Sequence, residues 1–427
     1  MPTNIQDTQN LISAYVNDID IKSAEALAIF HQLPFTLYGT LPWLPTEVCE
    51  EIIDWVAAAY DITKYSWGIQ KTLYACALVC RAWVHCAQMH LFTNIQVRPK
   101  YLCRLHSSLQ SAGHILSSIR TLKIGYDQKV PISSFLVSHR LQNLSTLVIH
   151  GLDLAQEHTL LVRAPLFHTV QHLHLFGLKA CKVSQLIRFI NSFHSLISLE
   201  LWFFFKILEH NGQILPRPSH ISSYSLTSLE LRLIPGVSRL LDWCLKAGSF
   251  FAHIQKLTLC CYGHADKSEF ISCFRGVGAL LQNCSATIEE LTLRMWEVPM
   301  VNEVSDLFYL ESFPKLQTLS YQLYGDYVLF KYAERQFSAV SSKSCIVEVQ
   351  LNIYIDKYET ARDIFNSIDS TLTSDKFSSL LKVKLHKEIS FDYFPKLQQQ
   401  KKQKLEVGPW NDDSIIILKS QAKVDRE

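Results

Sequence analysis

Glycine is scarce, at 14 residues in 427. That is about half the usual share, and it argues against Gly-rich phosphate loops. Gly276-Val277-Gly278 is a lone GxG inside a helical pattern, with no preceding strand and no third glycine. Charged residues are only 19% of the chain and sum to +2. This excludes a nucleic-acid binder that relies on a strongly basic surface, and it predicts no electrostatic membrane patch. No apolar run approaches the roughly 18 residues needed to cross a bilayer; the greasiest stretch, LELWFFFK, is broken by Glu200 and Lys206. The first ten residues have neither the basic start nor the apolar core of a signal peptide. The 12 cysteines form no framework: Cys76 and Cys80 are four apart and Cys260 and Cys261 adjacent, so they read as small apolar thiols rather than metal ligands. GxSxG, HExxH and P-loop patterns are all missing, and no spacing singles out a catalytic set. The expectation is an intracellular protein, cytoplasmic and/or nuclear, with reduced thiols. It is expected to have no enzymatic activity, no cofactor, no nucleic-acid partner and no membrane partner.

The length implies two domains or a repeat array. Residues 1–40 lack a sustained pattern and read as a flexible leader. At Leu41 the character changes. LPWLPTEVCEEIIDWVAAAY opens with two Leu-Pro pairs and continues as a helix, with acidic residues early, where the helix dipole favours negative charge. Val48, Ile52 and Trp55, with Cys49, Ile53 and Val56, make a wide apolar stripe at helical spacing. After a polar stretch, TLYACALVCRAWVHCAQMHLF is apolar on nearly every face from Leu73 to Val84. A helix greasy all round must be buried on more than one side. Residues 41–95 offer little to bury it against, so a second polypeptide is expected to cover it.

Beyond Arg98 one pattern keeps returning. IRTLKI, LSTLVI, VQHLHL, LISLEL, LTSLEL, IQKLTL and IEELTL are followed by the weaker LQTLSY, IVEVQL and LLKVKL. Their middle apolar residues are Leu122, Leu147, Leu173, Leu199, Leu229, Leu257, Leu291, Leu319, Val349 and Val383, spaced 25 to 34 residues apart. Alternation at period two marks a short strand in each copy. Between copies, runs such as Val183, Leu186, Ile187, Ile190 and Phe193 carry a helical stripe. One strand–helix unit cannot bury its apolar side, but stacked units share a continuous core. Residues 96–394 are therefore predicted to form an α/β solenoid, with parallel strands inside and helices outside. Residues 395–427, rich in Lys and Gln, read as a polar tail, with SIIIL at 414–418 a possible edge strand.

Parity assigns the inner face of that sheet. If the Leu positions point into the core, their neighbours point to the concave surface. These are His172, His174 and Phe176; then Glu200 and Trp202; then Glu230 and Arg232; then Lys256; then Glu290 and Arg294. Mixed charge around an aromatic centre suits a protein ligand, and Trp and Arg are the residue types that dominate binding energy when desolvated. His172 and His174 would lie about 7 Å apart on one strand face. Zinc would need two further ligands there, so they read as surface histidines.

Residues 41–92 resemble an F-box of the kind abundant in fungal proteins. The resemblance rests on Leu44-Pro45-Thr46-Glu47-Val48-Cys49 with Ile52, Ile53 and Trp55, on Ala77-Leu78-Val79-Cys80-Arg81-Ala82-Trp83, and on His90-Leu91-Phe92. The insert between Tyr60 and Gln70 departs from the family pattern. Residues 119–385 resemble a leucine-rich repeat array, although the positions where that family often places an Asn ladder hold Leu152, Leu178, Phe204 and Ile234. The double resemblance implies a three-helix F-box ahead of a horseshoe. It also implies docking on a Skp-family adaptor, and through it a cullin–RING ubiquitin ligase of the SCF type, with the repeats holding an unknown protein substrate. Adaptor contact is expected from Leu44, Pro45, Val48, Ile52, Leu78, Val79, Trp83 and Leu91. The competing expectations are an F-box protein acting outside the ligase, and a repeat scaffold whose N-terminal helices only cap the solenoid.

Overall fold

The computed structural model describes residues 46–58, 66–79, 81–97, 113–125, 141–154, 167–178, 183–203, 226–233, 241, 252–262, 267–296, 310–324, 327–340, 345–354, 362–385, 393–399 and 404–407. Leu44, Pro45, the leader and SIIIL lie outside them. The chain divides into two compact units: Met1–His150 with Val162–Thr169, and Gly151–Leu161 with Val170–Glu427.

The described part of the first unit begins with three helices, α1 (Thr46–Ala58), α2 (Ser66–Val79) and α3 (Arg81–Thr93). The single greasy segment read from the sequence is two helices: α2 ends at Val79 and α3 begins at Arg81. Part of the insert is helical too, because α2 starts at Ser66. Glu47 in the first turn of α1 complements its dipole. Cys49 and Ile53 of α1, Leu73, Cys76 and Ala77 of α2, and Ala87, Leu91 and Phe92 of α3 are buried. Helix α3 runs directly into β1 (Asn94–Val97) and packs on it and on a 3-10 turn at Gly113–Ser118. β1 pairs in parallel with β2 (Thr121–Gly125), and β2 with β3 (Thr146–His150).

Among the described residues, the second unit carries nine parallel strands in chain order. They are β4 (His172–Leu178), β5 (Ser198–Phe203), β6 (Ser228–Leu233), β7 (Lys256–Tyr262), β8 (Glu290–Trp296), β9 (Thr318–Tyr324), β10 (Glu348–Tyr354), β11 (Lys382–Leu385) and β12 (Lys404–Val407). Described helices between them include Val183–Asn191, Lys267–Cys284, Tyr327–Ser338 and Arg362–Leu372. This is the open, all-parallel α/β repeat arrangement that the period predicts. The repeat residues stand side by side: Leu122 pairs with Leu147 in the first unit, and in the second the row runs through Leu173, Leu199, Leu229, Leu257, Leu291, Leu319, Val349 and Val383. Two strands extend the reading. Ile95 of β1 joins Leu122, and Leu405 of β12 joins Val383, so the region read as a polar tail continues the sheet. Phe394 and Leu397 are buried at that end.

Ile95, Leu122, Leu147 and the row from Leu173 to Val383 are almost wholly buried, together with Leu186, Ile187, Ile190 and Phe193 from the predicted helical stripe. At about 1.5–3 kcal/mol for each fully buried aliphatic side chain, these rows dominate the stability of the array. An Asn ladder is replaced by a backbone one. The carbonyl just before each strand accepts two consecutive N–H groups from the next repeat. Ile197 and Ser198 donate to Gln171, Thr227 and Ser228 to Ile197, Gln255 and Lys256 to Thr227, and Glu289 and Glu290 to Gln255, all at 2.8–3.1 Å. The pattern continues through Gln317, Val347 and Leu381. Gly177, at φ 65°, supports a bulge in β4, where pairing moves from Phe176–Trp202 to Leu178–Phe203. The bulge turns Leu178 into the core and leaves Phe176 on the opposite face.

Candidate functional site

In the helical unit the apolar stripe of α1 splits in two. Cys49 and Ile53 face inward, whereas Val48, Ile52 and Trp55 remain exposed, Trp55 by 73%. Leu78 and Val79 at the end of α2 are also exposed, as is Met89 on α3. Among the described residues, the only other large exposed apolar side chain is Leu381. Four of the residues expected to contact an adaptor, Val48, Ile52, Leu78 and Val79, thus lie on the surface. Trp83 is half-buried. Leu91 is a correction: it is buried, because its side of α3 packs into the small core that the three helices need for themselves. Sequence reasoning left out Trp55 and Met89. Trp55 was legible in the i, i+4, i+7 spacing with Val48 and Ile52, which separates it from the inward Cys49–Ile53 pair.

The same unit joins α1 to α3 through polar groups. His90 Nε2 and Asp54 Oδ1 lie 2.6 Å apart, and the Cys86 thiol points at the same oxygen at 3.9 Å. Burial, then the negative charges of Asp54 and Glu50, push the Cys86 thiol up to about 11.

In the second unit, parity places the expected surface residues correctly by side but not by depth. His174 is ion-paired with Glu200 on the neighbouring strand. His172 is half-buried, and burial, followed by His174, lowers its pKa below the usual imidazole value. Phe176 meets Trp202 edge-on at 4.5 Å, and the guanidinium of Arg232 lies over the Trp202 ring. Trp202 and Arg232 are only 7% and 3% exposed, so they are not available as free anchors; this corrects their assignment to an open surface. Their side chains stack on each other and bury each other's faces, an arrangement that favours a desolvated cation on indole. Glu230 accepts from Arg294 Nη1 at 3.3 Å and from the Cys260 thiol at 3.7 Å. Burial first, then Glu200, holds the Glu230 carboxyl above the ordinary carboxylate range, against Arg294, Arg232 and Trp202, which lower it. Lys256 and Glu290 form a separate, exposed ion pair at 2.7 Å near the strand starts. Beyond the expected set, Trp296 and Tyr324 stack face to face at 4.7 Å on the same side of the sheet. Gln322 and Asn352 continue the Arg232–Cys260–Arg294 row and are buried.

No protein-family model matches the chain, and no curated protein matches it. The cluster of Glu200, Glu230, Arg232 and Arg294 carries two formal charges of each sign, which suits fixing the sheet face more than attracting a charged ligand. No helix among the described residues is long and apolar enough to cross a membrane.

Proposed function

We propose that the chain is a substrate receptor of an SCF-type cullin–RING ubiquitin ligase. In this reading the three-helix unit is an F-box that docks on a Skp-family adaptor, and the repeats hold the protein to be modified. The chain supplies position and no chemistry. The observation that carries the reading is the distribution of exposed apolar side chains: Val48, Ile52, Trp55, Leu78, Val79 and Met89 all belong to the helical unit. Helices that keep a core for themselves and still present this much apolar surface suit insertion into a groove on a partner.

One observation favours a second reading. Helix α3 packs on β1 and on the 3-10 turn of the first repeat, which is what a cap of the array would do. A cap, however, has no use for an outward Val48–Ile52–Trp55 stripe.

Co-purification of the tagged full chain from eukaryotic cells separates the readings. Recovery of adaptor and cullin supports the ligase receptor. Adaptor without cullin supports an F-box protein acting outside the ligase, and recovery of neither supports the cap. The Ile52→Asp/Val79→Asp variant is expected to lose the adaptor with unchanged circular dichroism. Retained adaptor binding by that variant counts against the proposed surface.

A further inference from the structure

Helices α1 and α3 bring together three donor types that no repeat or docking argument requires. Asp54 lies on α1, and Cys86 and His90 lie one turn apart on α3, so both face the same partner helix. Their ligand atoms all lie within 4.8 Å of one another, the only such group of His, Cys, Asp and Glu among the described residues. Tetrahedral zinc, with bonds of about 2.0–2.3 Å, holds neighbouring donors roughly 3.3–3.8 Å apart. Cys86 Sγ and Asp54 Oδ1, at 3.9 Å, stand just beyond that spacing and need only a small inward shift. The 2.6 Å between His90 Nε2 and Asp54 Oδ1 is a direct hydrogen bond, which opens by less than an ångström when a cation takes the place of the proton.

We infer that Asp54, Cys86 and His90 form a zinc(II) site that ties helix α1 to helix α3. A thiolate, an imidazole and a carboxylate suit zinc and disfavour calcium and magnesium, which take oxygen ligands. Binding breaks the Cys86 S–H bond, forms the zinc–sulfur bond and releases one proton to solvent; the proton that His90 Nε2 shares with Asp54 is replaced by one on Nδ1, so the imidazole stays neutral and coordinates through Nε2. Water completes the tetrahedron. The inference does not depend on the ligase reading, because the site is complete within one helical unit.

The test uses the metal-free, reduced full chain and cobalt(II), which reports tetrahedral thiolate ligation through a charge-transfer band. One equivalent of cobalt is expected to give that band, and zinc is expected to abolish it by displacement. Cys86→Ser is expected to lose the band and bind zinc at least about 100-fold more weakly, with His90→Gln also weakened. Cys345→Ser, at an exposed cysteine of the second unit, is expected to behave as wild type. Absence of the band in the wild-type chain overturns the site whatever the variants do, and so does its survival in Cys86→Ser.

Discussion

Arg294 reaches Glu230 across an intervening strand: Nη1 on β8 and Oε1 on β6 meet at 3.3 Å, over β7. The crossing is possible because the β7 residue in Arg294's register position is the small, fully buried Cys260. Arg294→Met removes the nearest cation from a carboxyl that already lies beside Glu200. It is expected to cost about 1–3 kcal/mol in urea unfolding, less than a fully buried pair because both partners keep some solvent contact. Adding Glu230→Gln to that variant is expected to recover part of the loss, as a double-mutant cycle will show.

The raised pKa of Glu230 also has a pH signature. An acid held above its ordinary value in the folded state binds a proton that the unfolded chain has already lost. Its contribution is therefore complete below the unfolded value and declines as pH rises through the folded one. Glu230→Gln is expected to flatten this part of the stability profile, and Arg294→Met to steepen it.

Glu348 runs the other way. Burial alone would raise its carboxyl, but hydrogen bonds from Lys384 and Gln350 and the charge of Lys382 hold it below the usual range. Lys384 Nζ lies 2.5 Å from Glu348 Oε1. The stabilisation is present above the unfolded carboxylate value and lost as pH falls through the folded one. The stability gap between wild type and Glu348→Gln is expected to close on acidification, as a series of denaturation curves across that range will report.

Trp55 and Leu91 make a contrasting pair. Trp55→Ala, at an exposed position, is expected to change unfolding stability by under about 0.5 kcal/mol. On the proposed function, the same change weakens adaptor binding by about 30-fold, the effect of an interface anchor worth about 2 kcal/mol. Leu91→Ala is expected to cost about 2–5 kcal/mol of stability. Calorimetry of both variants, alone and with adaptor, separates core from contact.

Tyr321 presents a different imbalance. Its ring is fully buried against Phe337, at 5.2 Å, but its hydroxyl has no hydrogen-bond partner among the described residues. Tyr321→Phe keeps the ring contact and removes the unsatisfied group, so it is expected to raise stability by about 1 kcal/mol. A lower thermal midpoint in this variant would contradict that account.

The period-two alternation made the repeat strands legible, because residues such as Leu229 and Leu257 face one core and cannot slip by one position without exposing it. Asn94–Val97 and Lys404–Val407 were harder to read: each is four residues long, and the second sits in a Lys- and Gln-rich stretch. The boundary between α2 and α3 was hidden because the sequence is apolar on both sides of it. Parity told which side of the sheet Trp202 and Arg232 occupy, but depth depends on what lies against them, and no local pattern encodes the stacking of one on the other. The Asp54–Cys86–His90 grouping was invisible for a related reason: its members are 32 and 36 residues apart and meet only through helix packing.

The rungs built from a single acceptor and two consecutive amides have an evolutionary corollary. Since the stitch is made by backbone groups, exchanging one side chain for another leaves it in place, whereas proline at a donating position breaks it. Excursions between rungs are then free to lengthen or shrink, as the uneven 25-to-34-residue intervals record. A lineage could diversify what such a molecule grips by editing those detours, while inheriting the stack unchanged.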